Sequence, residues 1–95
     1  MNIRSLHPKG KSVSAISFFK GSEGQATALQ ILAGQILKEH ITKTPALLLC
    51  LTGQAVFENE EGIKETLLPG DHVHIAPMVK HWVVAAEDSQ LILIK

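Results

Sequence analysis

From Ala46 onward the apolar positions fall into short bursts separated by polar punctuation. Ala46–Thr52 is an apolar run that stops at Gly53-Gln54, and its length suits a strand buried on both faces. Ala55-Val56-Phe57 resumes after the turn. Asn59–Gly62 reads as a polar hairpin loop, and Ile63–Leu67 follows it. Leu68-Pro69-Gly70-Asp71 carries a strong turn signature. Val73 and Ile75 then alternate with His72 and His74, which puts the aliphatic pair inward and the two histidines outward. Trp82–Ala86 and Gln90–Ile94 are two further β-rich runs on either side of Glu87-Asp88-Ser89. Short strands with regularly spaced turns predict an all-β sandwich or barrel.

The first half is less decided. Ser12–Phe19 alternates as a strand, with Val13 and Ala15 on one face, and Lys20–Gly24 reads as a turn. Ala26–Ile41 fits two patterns. Leu29, Leu32, Ala33, Ile36, Leu37 and His40 share one face of a helix, although Gly34 in its middle would cost about 1 kcal/mol against alanine. Two strands with a turn at Gly34 would instead line up Thr27, Leu29, Ile31 and Ala33. Periodicity alone favours the helix. Residues 1–11, with His7-Pro8 and Gly10, read as an N-terminal arm with His7 at the surface, ahead of a single domain over 12–95.

Composition narrows the function classes. Nine basic and nine acidic side chains cancel, and no basic block appears, so nucleic-acid binding has little electrostatic support. Four aromatic residues (Phe18, Phe19, Phe57 and Trp82) are thin material for stacking on bases. No apolar run approaches the ~20 residues a membrane helix needs. The N-terminal stretch lacks the apolar segment of a secretory signal, and the one cysteine, Cys50, has no partner in the chain. The expectation is a cytoplasmic protein. Cys50 shares a face with Ala46 and Leu48 and reads as a buried, inert thiol.

Two spaced motifs carry a resemblance. Gly34, His40, Thr42, Ala46 and Gly53 stand, without a gap, at the positions of a Gly…His-x-His…Glu…Gly pattern. Gly70, Ala76, Met78, His81 and Ala85 stand at those of a Gly…Pro-x-Gly…His…Asn pattern. The spacing resembles the two motifs of the cupin family, the small RmlC-like jelly-roll barrels, and LLPGDHVHIAPMVKHWV looks like the second of them. The resemblance implies a double-stranded β-helix. It also favours the strand reading of Ala26–Ile41, with Gly34 at the turn.

In metal-binding cupins two histidines and a glutamate of the first motif join the histidine of the second around a metal. Here the resemblance retains His40 and His81, while Thr42 and Ala46 replace the other two. A threonine hydroxyl is a weak ligand and alanine has no ligating atom. The implied pocket holds His40, Thr42, Leu48, Met78, His81 and Val83, within a mostly apolar interior that also takes in Leu29, Ile31 and Val73. His72 and His74 are expected at the surface or in an interface.

The expected function is a small-molecule-binding barrel without catalysis. It would hold at most a weak divalent transition metal (Fe, Mn, Ni or Zn) between His40 and His81. Retention of both histidines keeps open a metal-dependent enzyme of dioxygenase or isomerase type, and the apolar outer face keeps open a structural or interaction barrel; the fold cannot choose among them. If Leu48 faces the interior, Leu47, Leu49 and Leu51 face outward. That face is expected to be buried in a homodimer, unless the strand Val13–Phe19 folds over it.

Overall fold

The computed structural model describes residues 1–95, and every apolar alternation read above forms a strand. They are β1 (Val13–Lys20), β2 (Gln25–Ile31), β3 (Ile36–His40), β4 (Ala46–Thr52), β5 (Ala55–Asn59), β6 (Lys64–Leu67), β7 (His72–Ile75), β8 (His81–Ala85) and β9 (Ser89–Ile94). The ambiguity over Ala26–Ile41 resolves as two strands. Gly34 sits between them at φ +79°, a left-handed conformation that glycine adopts without steric cost. The helix-like spacing of Leu29, Leu32 and Ile36 arises because the turn interrupts the alternation.

The strands form two antiparallel sheets, one in the order β1-β2-β9-β4-β7 and one in the order β3-β8-β5-β6. Their inner faces meet in one core. Leu29, Ile31, Leu48, Cys50 and Leu91 come from the first sheet, and Phe57, Leu67 and Val83 from the second. Strand alternation is carried through cleanly in β4, where Ala46, Leu48 and Cys50 are buried and Leu47, Leu49 and Leu51 are half-buried. The Cys50 thiol donates to the Thr52 carbonyl at 3.5 Å, and burial, helped by the charge of Asp71, pushes its pKa up.

The turns are closed by side chains that compete for backbone groups. Asn59 Oδ1 accepts from the amides of Glu61 (2.9 Å) and Ile63 (3.1 Å), and Asp71 Oδ2 accepts from that of Leu68 (2.9 Å).

One alternative and one expectation need correction. β1 does not fold over Leu47, Leu49 and Leu51. It pairs with β2 at the far edge of the same sheet, with β2 and β9 between it and β4. Its own backbone groups found a ladder partner in β2, so it widens the sheet instead of adding a layer. Nor does His7 lie freely at the surface: it is half-buried. The arm forms a short 3₁₀ turn, Ile3–Leu6, against β2, which brings His7 Nδ1 to 2.8 Å from the buried Ser14 Oγ. His7 Nε2 is buried without a partner, and burial lowers the ring's pKa.

Candidate functional site

His40 and His81 come together across the β3–β8 ladder, and a bulge makes this possible. Leu37 pairs with Val83 and His40 with His81, so β3 spends three steps where β8 spends two. In plain alternation His40 would face away from Leu37's side. The extra residue, absorbed at Lys38-Glu39, turns it back inward, as bulges commonly re-aim a side chain. The two rings lie with centroids 4.1 Å apart and planes tilted by 60°. Behind them Phe57 stacks on His81 at 5.7 Å.

Hydrogen bonding sets the tautomer of both rings. His40 Nδ1 lies 3.0 Å from the Lys38 carbonyl and His81 Nδ1 lies 3.1 Å from the Val79 carbonyl. A carbonyl oxygen only accepts, so each Nδ1 is the donor and each neutral ring keeps its lone pair on Nε2. His81 is 1% exposed, and its Nε2 has no partner in the protein. Thr42, 3% exposed, has an unpartnered Oγ1 in the same state. Burial holds the His81 pKa below the usual histidine range. The Val79 carbonyl opposes that shift, and the charges of His40 and Lys95 add to it.

His40 borders an open cleft of about 760 Å³ between the β1–β2 edge of one sheet and β3 of the other. Val13, Ala15, Leu29, Leu37 and Glu39 line it with His40. Of the expected lining, His40 and Leu29 border this cleft, while Thr42 and His81 do not. Ile31, Leu48 and Val83 are packed into the core behind the histidines, and Val73 packs against that core. Large side chains from both sheets fill the middle of the sandwich, so the open space shifts to the edge where β3 of the second sheet faces β1 and β2 of the first. Met78 is 60% exposed at the rim and borders no part of this cleft. It stands at a motif glycine and keeps a left-handed φ of 65°, strained for a side-chain-bearing residue. Its amide donates to the Thr42 carbonyl at 2.8 Å, which ties the loop ahead of β8 to the loop after β3.

No group of three or more histidine, cysteine, aspartate or glutamate side chains could hold a metal. Ala46, where the resemblance expects a carboxylate, is buried in the core. His72 and His74 face outward, their rings edge-to-face at 5.8 Å. Asn59 was not singled out above, yet it pairs with His81 from the other side and completes a row His40–His81–Asn59. The alternation Ala55, Phe57, Asn59 would have found it. Its Oδ1 is engaged by the hairpin loop, so it is a neighbour of the pair and not a free ligand.

No protein-family model matches the chain, and no curated protein matches it. Solved structures do. A cupin superfamily protein from Desulfitobacterium hafniense superposes with a TM-score of 0.84 at 17% identity, covering 98% of this chain and 84% of the other. A protein from Thermus thermophilus gives 0.82 at 19% identity, covering 99% and 92%. An RmlC-like cupin with a double-stranded β-helix fold from Methanocaldococcus jannaschii gives 0.78 at 12% identity, covering 94% and 84%. The chain has the fold of a small cupin-type domain.

Proposed function

We propose that this cupin-type barrel binds a small molecule at the His40–His81 pair and does so without catalysis. A single observation carries the reading. His81 is anchored through Nδ1, while its Nε2 lone pair is buried with nothing to accept from. An unpaired buried polar atom costs about 1–3 kcal/mol, which a ligand donor or a cation would relieve. Thr42 Oγ1 adds a second such atom, one that both donates and accepts.

A divalent transition metal ion such as Fe, Mn, Ni or Zn fits the same atoms weakly. Two imidazole nitrogens and a neutral hydroxyl supply no negative charge, and water would fill the remaining positions. One observation favours the second reading, a metal-dependent enzyme of dioxygenase or isomerase type. Both rings donate Nδ1–H to backbone carbonyls, which is the outer-shell arrangement typical of metal-bound histidines.

Metal analysis of protein purified without an affinity tag separates the two. The binding reading expects far less than one equivalent of metal. It also expects the His40 and His81 ring signals in NMR to move when Zn²⁺ is added at millimolar concentration, and the response to disappear in His40→Ala/His81→Ala. Near-stoichiometric metal lost in that double variant would favour the enzyme. Ring signals that ignore Zn²⁺ would remove the metal from both readings.

A homodimer accompanies the proposal. Leu47 and Leu49 lie beside Ile94 and Ile92 on the outer face of the first sheet, and β1 does not cover them. A second copy would remove this apolar row from water. Sedimentation at micromolar concentration should show a dimer, and a monomer there would refute it. No helix is long and apolar enough to cross a membrane.

A further inference from the structure

A second cleft, of about 460 Å³, opens at the end of the sandwich beside the histidine pair. Its lining includes Lys20, Lys43 and Lys95 with the hydroxyl residues Ser22, Thr42 and Thr44, and no carboxylate side chain. In a chain whose charged side chains cancel overall, this is a local excess of positive side chains. The ladder explains how the lysines gather. Lys20 pairs with Gln25, and Gln25 exchanges backbone hydrogen bonds with Lys95 at 2.7 and 3.1 Å. Residues opposite one another in a ladder share a face. Lys20 and Lys95 therefore stand on one face two strand spacings apart, about 10 Å at their backbones. Lys43 arrives from the loop after β3, on the other sheet. Thr42, two residues after His40, lines the cleft and carries a nine-tenths-buried hydroxyl with no partner.

We propose that this lysine-rimmed cleft receives a doubly charged oxyanion group, a phosphate or a pair of carboxylates, of the small molecule that the barrel binds. The inference rests on the reading of the barrel as a small-molecule binder and adds the charge class of the ligand. Three ammonium groups supply the attraction, and the hydroxyls of Thr42, Thr44 and Ser22 supply donors to the oxygens. Lys95 also lines the histidine cleft, so a molecule held by its anionic end here would extend its remainder toward His40.

The test is a ¹H–¹⁵N NMR titration of the full chain with malonate and, separately, inorganic phosphate, against sodium chloride at matched ionic strength. Saturable shifts are expected for residues 20–25 and 41–44, with at least tenfold weaker binding in Lys20→Gln/Lys43→Gln. Thr42→Val is expected to weaken binding severalfold. The Zn²⁺ response of the His40 and His81 ring signals is read separately on the parent, so a failure of the histidine reading is not mistaken for a failure of this one. Shifts that chloride reproduces would mean an adventitious ion only and would overturn the proposal. So would a lysine double variant that titrates like the parent while its spectrum shows it folded.

Discussion

The molecule carries two pairs of histidines, and they differ in almost everything except residue type. His72 and His74 lie two apart on one strand, at the edge of the five-stranded sheet, and both are exposed. His40 and His81 come from distant parts of the chain and meet across a ladder, one half-buried and the other buried. The outer pair is a consequence of simple alternation around Val73 and Ile75. The inner pair needs a bulge, two carbonyl anchors and a closed sandwich. Chemistry follows the setting: water can satisfy every ring nitrogen of the outer pair, whereas His81 Nε2 has been cut off from it.

The largest contrast should appear in stability. His81→Ala removes the stacking partner of Phe57, opens a cavity and frees the Val79 carbonyl, and is expected to cost about 2–3 kcal/mol in urea denaturation. His40→Ala, at a half-buried ring, should cost about 1 kcal/mol. His74→Ala should stay within about 0.5 kcal/mol. Equal costs for His81→Ala and His74→Ala would erase the distinction drawn between the pairs.

Much of this contrast is legible in the sequence, because alternation is a local signal. The outward turn of His72 and His74 and the inward turn of Leu48 follow from period two, whereas the turn at Gly34 needed the motif resemblance against a competing helix pattern. The motif spacing brought His40 and His81 together on paper. What alternation cannot reveal is where it breaks. The bulge at Lys38-Glu39 has no glycine or other composition cue, and it shows only in the register against β8. Packing is equally opaque. Leu48 and Val83 have the same character as Leu29, all three are in the core, and only the mutual filling of two sheets decides which of them also borders an open cleft. Gly53 shows the same limit. Its φ of +87° is a turn property, but a Cβ there would also run into the Asp88 carbonyl and Ser89 Oγ, neighbours that no local reading supplies. The lysine-rimmed cleft went unread because its three lysines are scattered along the chain and only the ladder gathers them.

A second expected effect concerns pH. Burial lowers the His81 pKa in the folded protein, with His40 and Lys95 as the charged groups that add to the shift. Above the unfolded-state value of about 6.5 neither state carries the proton, and stability is full. As pH falls below it, the unfolded chain takes up the proton first, so stability drops by at most about 1.4 kcal/mol per pH unit until the folded ring also protonates. His7 is shifted in the same direction by its own burial and contributes with the same sign. In a His7→Asn background, His81→Asn should flatten the decline between neutral and mildly acidic pH. If the decline survives unchanged, the buried ring is not its source.

The smallest effect is the most informative about purpose. Thr42→Val keeps the shape of the side chain and replaces a buried, unpartnered hydroxyl by a methyl group. A buried polar atom without a partner is a standing cost, so in ligand-free protein the variant should be more stable than the parent, by about 1 kcal/mol. The same substitution should weaken binding, because Thr42 lines the lysine-rimmed cleft and its hydroxyl is a free polar atom there. A gain in stability coupled to a loss in affinity is what a residue retained for binding produces. The outer histidines have no such tension: they are already solvated and give nothing up. If Thr42→Val instead destabilises the ligand-free protein, the hydroxyl has a partner in solution and is not free for a ligand.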